Sequence, residues 1–482
     1  MKKFLKNNIY YLLTSLPIIL VHLPFYLGIV LVFFVYTPFY YLCSRIKNIR
    51  QGIYIGCFLG ILITVIDLLW VSWYQPQPIF IFCLVVLYEI LVWTCHTILT
   101  YKTITSRFPW LAIFSFTFIE WLQRENPIFA SAYMQTPDIA SRNLYLIQTS
   151  QIFGYTVFSI LICASSYFIY RNIEQYQQTK QIQKKPIFIY CFIILVFHVY
   201  GAYIYHTTYT TKTANIAVIQ EQMTTENFEK LWKQIEKKQP KYVFLAENAL
   251  YGCRNKQHEW LMDAESVYQK KYECKLTPTQ IQKHLQKLNF PITIISGLYL
   301  YIYEESTYPE NWDTYPINQL PYQTAICLIT KTKMVIVDKL IPAPQGEKPL
   351  SSILPFLKYT KLYANEKVKF RTCNPKPTLQ ILSDFIIAVC ICYEHMFPDI
   401  WEKKNLNNMT NIAFQSAYAT TDPVGRSPIE HYQSGNRRIF LAARHHCPYL
   451  YVNCCHSEYI SANGALQYSS TSEPILFWNI NF

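Results

Sequence analysis

Cysteine is plentiful in this chain, but the spacings that would give it a metal-binding role are missing. Of the fifteen cysteines, the nine that follow residue 207 include no CxxC pair, so a zinc site is not expected. The chain of 482 residues is also neither short nor patterned like a disulfide scaffold. Internal repeats and low-complexity tracts are absent. No small-residue cleavage site follows the N-terminal lysines and apolar run, so a retained first helix is expected rather than a removed signal. There is no basic helix or base-stacking motif, so the formal net charge of +13 does not read as nucleic-acid binding.

What the chain does have is apolar residue in excess: 51% is hydrophobic and 17% aromatic, high for a soluble protein of this length. The excess is uneven. Almost every long uncharged run lies in the first 206 positions, and beyond them charged and apolar residues mix as in a soluble domain. Two domains are therefore expected, a transmembrane domain over residues 1–206 and a second domain over 207–482. A bilayer needs about 20 apolar residues per helix. The run Ile9–Cys43 suits two helices broken near Pro24, and Gly52–Tyr74, Ile79–Tyr101, Phe108–Leu122, Ile147–Tyr170 and Ile187–Tyr205 supply five more.

Basic residues give these seven spans a direction, because short cytoplasmic loops carry excess Lys and Arg. Lys2, Lys3 and Lys6 precede the first span, and Arg45, Lys47 and Arg50 follow the second. Lys102 and Arg107 follow the fourth, and Arg171, Lys180, Lys184 and Lys185 follow the sixth. All fall on one side, so the chain from residue 207 onward is expected outside the cytoplasm.

After Ala214 the pattern becomes alternating strands and helices. Ile216–Ile219, Tyr242–Leu245, Ile292–Ser296, Thr324–Ile329, Met334–Val337 and Phe385–Cys392 read as strands, and Asn227–Lys238 has helical spacing. An α/β layered domain follows. Three strand ends carry chemistry: Glu247 after one strand, Lys339 after another, and Cys392 in the run Ala388-Val389-Cys390-Ile391-Cys392-Tyr393-Glu394. A carboxylate to take a thiol proton, an ammonium to offset an oxyanion and a thiol to attack an acyl carbon suffice for thiol-based acyl transfer. Cys390 is the first alternative nucleophile and Lys333 the alternative lysine.

Glu, Lys and Cys in this order, with Cys392-Tyr393-Glu394 closing an apolar strand, resemble the carbon–nitrogen hydrolase (nitrilase) superfamily. Joined to an N-terminal membrane bundle, the chain resembles the apolipoprotein N-acyltransferase family. Lys339, Pro344, Gly346 and Glu347 fit that family's K-x4-P-x-G-E pattern, and Glu120-Trp121-Leu122, Leu146-Ile147-Gln148 and Gly154 are similar to its fifth and sixth membrane segments. The resemblance implies an N-terminal polytopic α-helical membrane bundle followed by an αββα sandwich. It implies a Cys392 nucleophile, Glu247 as general base and Lys339 as oxyanion stabiliser, with Glu347 orienting the site and Tyr393 and Glu394 shaping the acyl pocket and supporting the base. The donor would be a phospholipid and the acceptor a diacylglyceryl-cysteine apolipoprotein. The enzyme would need no cofactor and act as a monomer in the bacterial inner membrane, its catalytic domain periplasmic.

The sequence also departs from that family. Leu245-Ala246 stands where it has Trp-Pro, Leu441 stands where a Glu follows Arg438 and precedes Arg444, and no apolar run for a last membrane helix precedes Asn479-Ile480-Asn481-Phe482. A group of conjugal-transfer proteins with the same two-part plan is therefore an alternative, as is a membrane-tethered amidase. His445, His446 and His456 read as surface or packed histidines, and Cys454 and Cys455 as core thiols of a late strand.

Overall fold

In a computed structural model, the described residues are 16–18, 20, 31–67, 78–125, 135–182, 184–208, 212–221, 224–255, 261, 276–303, 322–339, 379–382, 385–391, 412–416, 428–453, 456–470 and 473–481. They fall into two units: one of Met1–Thr208 with Thr421–Arg444, the other of Tyr209–Thr420 with His445–Phe482.

The first unit is helical. Its helices are α1 (Thr37–Ser44), α2 (Ile49–Asp67), α3 (Pro78–Ile104), α4 (Ala112–Glu125), α5 (Thr136–Ile139), α6 (Leu144–Gln148), α7 (Ser150–Thr179) and α8 (Lys184–Thr207). A later helix, Pro428–His445, joins them through its residues up to Arg444. Two helical segments among the described residues, Ser150–Thr179 and Ile187–Thr207, are long and apolar enough to cross a membrane, and Ile49–Val65 is a shorter apolar helix. The first expected span lies mostly outside the described residues, and the second is described from Leu31 onward, with α1 (Thr37–Ser44) at its end.

Small residues decide how α2 and α3 pack. A Cβ on Gly56 would sit 2.4 Å from the Cα of Thr94, and one on Gly60 would sit 2.6 Å from the Cα of Ile90. The two backbones can approach so closely only because Gly56 and Gly60, one turn apart, have no side chains. Within α7 the helical path breaks at Gly154, whose φ of 67° lies in the left-handed region that side chains disfavour.

The exposed apolar surface separates the units. Apart from Leu466 and Tyr468, every large hydrophobic side chain exposed among the described residues precedes residue 207. On α8, Phe188 is 73% exposed, and Phe192, Leu195, Val199 and Tyr203 are exposed with it. This spacing of three and four residues makes an uncovered apolar stripe, which a water-soluble domain would bury.

Among the described residues the second unit holds two six-stranded sheets. The first has the order β12-β1-β2-β3-β4-β5, and the second β11-β10-β9-β8-β7-β6. The strands are β1 (Thr213–Ile219), β2 (Tyr242–Asn255), β3 (Thr293–Tyr303), β4 (Tyr322–Ile329), β5 (Met334–Asp338), β6 (Leu379–Leu382), β7 (Phe385–Ile391), β8 (Ile412–Ser416), β9 (Tyr449–Val452), β10 (Ser457–Ile460), β11 (Leu466–Ser470) and β12 (Ile475–Asn481). β1, β2 and β3 run parallel, as do β7, β8 and β9. Such strands are covered on both faces and read as continuous apolar runs.

Alternation along these strands assigns the faces. Ile216, Val218, Phe244, Val389, Ile391, Phe414 and Val452 meet in one core drawn from both sheets. Ala217, Ile219, Val243, Leu245 and Ile294 face the other way, onto α9 (Thr225–Lys238) and α10 (Pro278–Lys287). α9 places Phe228, Leu231, Trp232 and Ile235 on one stripe, and each such buried side chain contributes roughly 1.5–3 kcal/mol. Both helices begin at a threonine cap, Thr224 and Thr277, closed reciprocally by Asn227 and Gln280. Among the described residues this gives a helix layer and two sheet layers. The connection from β8 to the parallel β9 passes through α11 (Pro428–His445), most of which belongs to the helical unit.

Candidate active site

Glu247 owes its position to an irregularity in β2. Between Leu245 and Leu250 that strand advances five residues while β3 advances two, from Ser296 to Leu298. Glu247 lies in the excess, and a bulge of this kind re-aims side chains out of the regular alternation. Its carboxylate is 5% exposed and flanked by buried Leu245, Ala246 and Ala249.

Lys339 follows β5 directly. Its backbone N–H continues the ladder by donating to the carbonyl of Thr324 at 3.2 Å, and its side chain is buried, with the residue 2% exposed. Although 92 positions separate the two residues in sequence, Lys339 Nζ lies 3.9 Å from Glu247 Oε1. Two opposite charges removed from water must compensate each other, because either alone costs several kcal/mol to bury. Lys333, the alternative lysine, is exposed in the turn between β4 and β5 and donates its backbone N–H to Thr330 Oγ1. The pair Glu247–Lys339 is therefore the one that the fold assembles.

β7 ends at Ile391, and Cys392 is the next residue in sequence. Cys392, Tyr393, Glu394 and Glu347 lie outside the described residues, as do Cys454 and Cys455. Across the layer between the sheets the ring centroids of Phe244 and Phe414 are 4.9 Å apart. Glu247 comes three residues after Phe244. Val389, the register partner of Phe414, comes three residues before Cys392. β2 and β7, the strands that lead in sequence to Glu247 and to Cys392, thus share one core with Phe414, which touches Phe244 and is the register partner of Val389. Cys390 is buried in β7, two residues from Cys392.

Cys447 shows what a structural thiol looks like here. It is buried, its Sγ lies 3.5 Å from the carbonyl of Pro448, and burial pushes its pKa up to about 12 against the pull of the Ala413 backbone N–H. At pH 8 its thiolate fraction is then roughly one part in ten thousand. Iodoacetamide applied to the folded protein at pH 8 is expected to leave Cys447 unmodified, which peptide mass mapping checks.

Sequence reasoning missed two arrangements. Of the two readings, surface or packed, His456 is packed, and what the sequence left unread is its partner: Nε2 lies 3.0 Å from Glu458 Oε1. The second lies in the helical unit. Arg437 donates from Nε to Asp138 Oδ1 at 2.6 Å and from Nη2 to Oδ2 at 2.5 Å, with both side chains 1% exposed. Tyr155 donates its hydroxyl to Asp138 Oδ2 at 3.2 Å, and the Arg437 guanidinium lies over the Tyr155 ring at 5.1 Å. Burial pushes the Asp138 carboxyl up against the charge and hydrogen bonds of Arg437. Burial also draws the guanidinium down, but the Asp138 charge leaves Arg437 above its ordinary value. Nothing in the periodicity of either segment links positions 299 residues apart.

No family model matches the chain, and no curated protein matches it. Among solved structures it is similar to a carbon–nitrogen hydrolase from Helicobacter pylori G27, with 14% identity over 56% of this chain and 90% of that one and a TM-score of 0.38. It is likewise similar to Saccharomyces cerevisiae Nit3, a member of branch 10 of the nitrilase superfamily, with 10% identity over 56% and 91% and a TM-score of 0.37. An amidase from Nesterenkonia sp. gives 11% identity over 56% and 92% and a TM-score of 0.37.

Proposed function

We propose that the protein is a membrane-bound, cysteine-dependent acyltransferase of the carbon–nitrogen hydrolase type, with Glu247, Lys339 and Cys392 as its catalytic residues. The observation that carries the reading is the buried approach of Lys339 Nζ to Glu247 Oε1 at 3.9 Å. In the first half-reaction Glu247 takes the Cys392 thiol proton and the thiolate attacks the ester carbonyl of a phospholipid. The ammonium of Lys339 offsets the oxyanion. The intermediate collapses to a thioester, and Glu247 returns the proton to the departing lysophospholipid oxygen. In the second half an amine attacks the thioester, Glu247 takes its proton and passes it to the departing Cys392 sulfur, and an amide and the free Cys392 thiol result. Glu347 orients the pair, and Tyr393 and Glu394 support the base and the acyl pocket.

The exposed apolar stripe of α8 and the glycine-mediated crossing of α2 on α3 support a polytopic membrane bundle. α11 comes late in the chain yet groups with the helical unit through residues following α4, and this supports the same orientation as the basic loops: residues 122–147 and everything after 207 lie on the non-cytoplasmic side. Such an enzyme works as a monomer in the bacterial inner membrane with its catalytic domain periplasmic, drawing on membrane phospholipid and passing the chain to the amino group of a diacylglyceryl-cysteine apolipoprotein.

The test offers purified full-length protein phosphatidylethanolamine alone, then a diacylglyceryl-cysteine peptide. Acylation of Cys392 followed by transfer to the peptide amine is the expected result. Ammonia release from simple amides without any lipid-derived acylation would overturn the reading in favour of an amidase.

A further inference from the structure

The face of the first sheet that shares a core with the second changes character at the Glu247–Lys339 pair. Behind the pair it is apolar: Phe244, Ile295 and Leu328 lie in register across β2, β3 and β4, and all three belong to the shared core. One row further on, Gly297 pairs with Ile326 and Ile326 with Val337. The row after that is Tyr251, Tyr299, Thr324 and Lys339: Tyr251 pairs with Tyr299, Tyr299 with Thr324, and the carbonyl of Thr324 accepts the Lys339 N–H. Alternation keeps both tyrosines on this face, because their neighbours Leu250, Leu298 and Leu300 belong to the helix-side core. Tyr301, two residues past Tyr299, shares the face. At a strand spacing of about 4.8 Å the Lys339 backbone lies roughly 10 Å from that of Tyr299. The lysine side chain runs across toward β2, since its Nζ comes within 3.9 Å of Glu247 Oε1. The charged pair therefore has apolar core on one side and tyrosines on the other.

The three rings touch one another. Their centroids are 5.5 Å apart for Tyr251 and Tyr299, 5.4 Å for Tyr299 and Tyr301, and 6.1 Å for Tyr251 and Tyr301, the last pair stacked. Rings so spaced make one continuous surface rather than a cage open to an ammonium ion. Thr324, Lys339 and Tyr301 are buried, whereas Tyr251 and Tyr299 are half-buried, so the exposed surface of the row is tyrosine. The surface lies toward the carboxyl ends of parallel strands, where open α/β sheets present their ligands. We propose that Tyr251, Tyr299 and Tyr301 form a shelf for the acyl chain of the substrate, with Tyr251 and Tyr299 setting a preference for long chains over short ones. The proposal rests on the acyl-transfer reading above, which puts the scissile acyl carbon at the Glu247–Lys339 pair. A chain leading away from that carbon meets closed core behind the pair and open ring surface ahead of it. Each methylene that the rings cover strengthens binding about fourfold.

The test has two arms, both on full-length protein in a neutral detergent. In the first, Cys392→Ser protein is irradiated with a decanoyl amide that carries a diazirine midway along its chain, and the labelled peptides are mapped by mass spectrometry, so that chain binding is scored separately from acyl transfer. Crosslinks are expected on the β2 and β3 peptides that hold the three tyrosines, suppressed by excess decanamide and not by acetamide. The second arm compares the rates at which para-nitrophenyl decanoate and para-nitrophenyl acetate acylate Cys392. Tyr251→Thr and Tyr299→Thr, which keep a strand-favouring residue, are each expected to lower the decanoate-to-acetate ratio on the order of tenfold, as uncovering about two methylenes would give. Tyr299→Phe, which keeps the ring, is expected to preserve the ratio. A merely structural role would slow both esters alike, so an unchanged ratio in both threonine variants would overturn the shelf. Crosslinks confined to other peptides would overturn it as well. Crosslinks on the shelf in a protein whose Cys392 takes no acyl group from either ester or from phosphatidylethanolamine would sink the acyltransferase reading and leave the chain site standing.

Discussion

Replacing Lys339 with alanine is expected to remove acyl transfer and destabilise the α/β unit at the same time. The stability loss follows from burial: Glu247 is 5% exposed, and stripping a buried charge of its partner typically costs about 3–5 kcal/mol. The catalytic loss follows from the oxyanion, since removing one preorganised donor lowers kcat by roughly 10²–10³. The two effects can be separated. Glu247→Gln with Lys339→Met removes both charges, and such a double replacement is often close to neutral for stability. The double variant should therefore unfold nearer the wild type than either single variant while remaining inactive. Denaturant unfolding alongside a thioester assay checks both halves. A Lys339→Ala protein of wild-type stability would mean that the pair does not compensate in the folded chain.

The second large effect is expected in the helical unit. Arg437→Met leaves the Asp138 carboxyl buried without its bidentate partner, and a loss of about 3–5 kcal/mol is expected. Neutralising both, with Asp138→Asn added, should recover part of that loss. The asparagine oxygen can still accept from the backbone N–H of Gln135 and the hydroxyl of Tyr155, which now bond to Asp138. Additive losses in the double-mutant cycle would contradict a direct pairing. Thermal unfolding in detergent, followed by a probe placed on α11, supplies the measurement.

Much of the architecture could be read from residue pattern, for identifiable reasons. Apolar runs of membrane length coincide with helices: Gly52–Tyr74 overlaps α2, Ile79–Tyr101 lies inside α3 and Ile187–Tyr205 lies inside α8. The strands from β1 to β4, and β7, each carry an apolar run largely buried on both faces, such as Ile216–Ile219, Tyr242–Leu245 and Ile387–Ile391, and those runs stand out. The late strands do not. β9 and β10 have four residues each, and Ser457 and Glu458 are polar although buried. Sheet order was also hidden. β12 closes the first sheet beside β1 with Thr213 opposite Asn481, a pairing that no local pattern encodes.

For the candidate site, the legible part was residue identity at strand ends, and the illegible part was distance. Glu247 and Lys339 could be named because each follows an apolar run, but only the bulge in β2 and the path of β5 bring them within 3.9 Å. Arg437 gave a weaker signal, a second basic residue beside Arg438 in a helix that turns apolar over Ile439–Ala443. Its partner lies in another part of the chain, so the pattern could mark the arginine as unusual without saying why.

The central claim is that Cys392 carries an acyl chain drawn from phospholipid. Mass spectrometry of the full-length protein after incubation with phosphatidylethanolamine alone tests it most directly. The expected result is a mass gain of one acyl chain on the peptide containing Cys392, labile to hydroxylamine and absent in Cys392→Ser. An unmodified Cys392 under conditions in which the folded protein binds the lipid would contradict it.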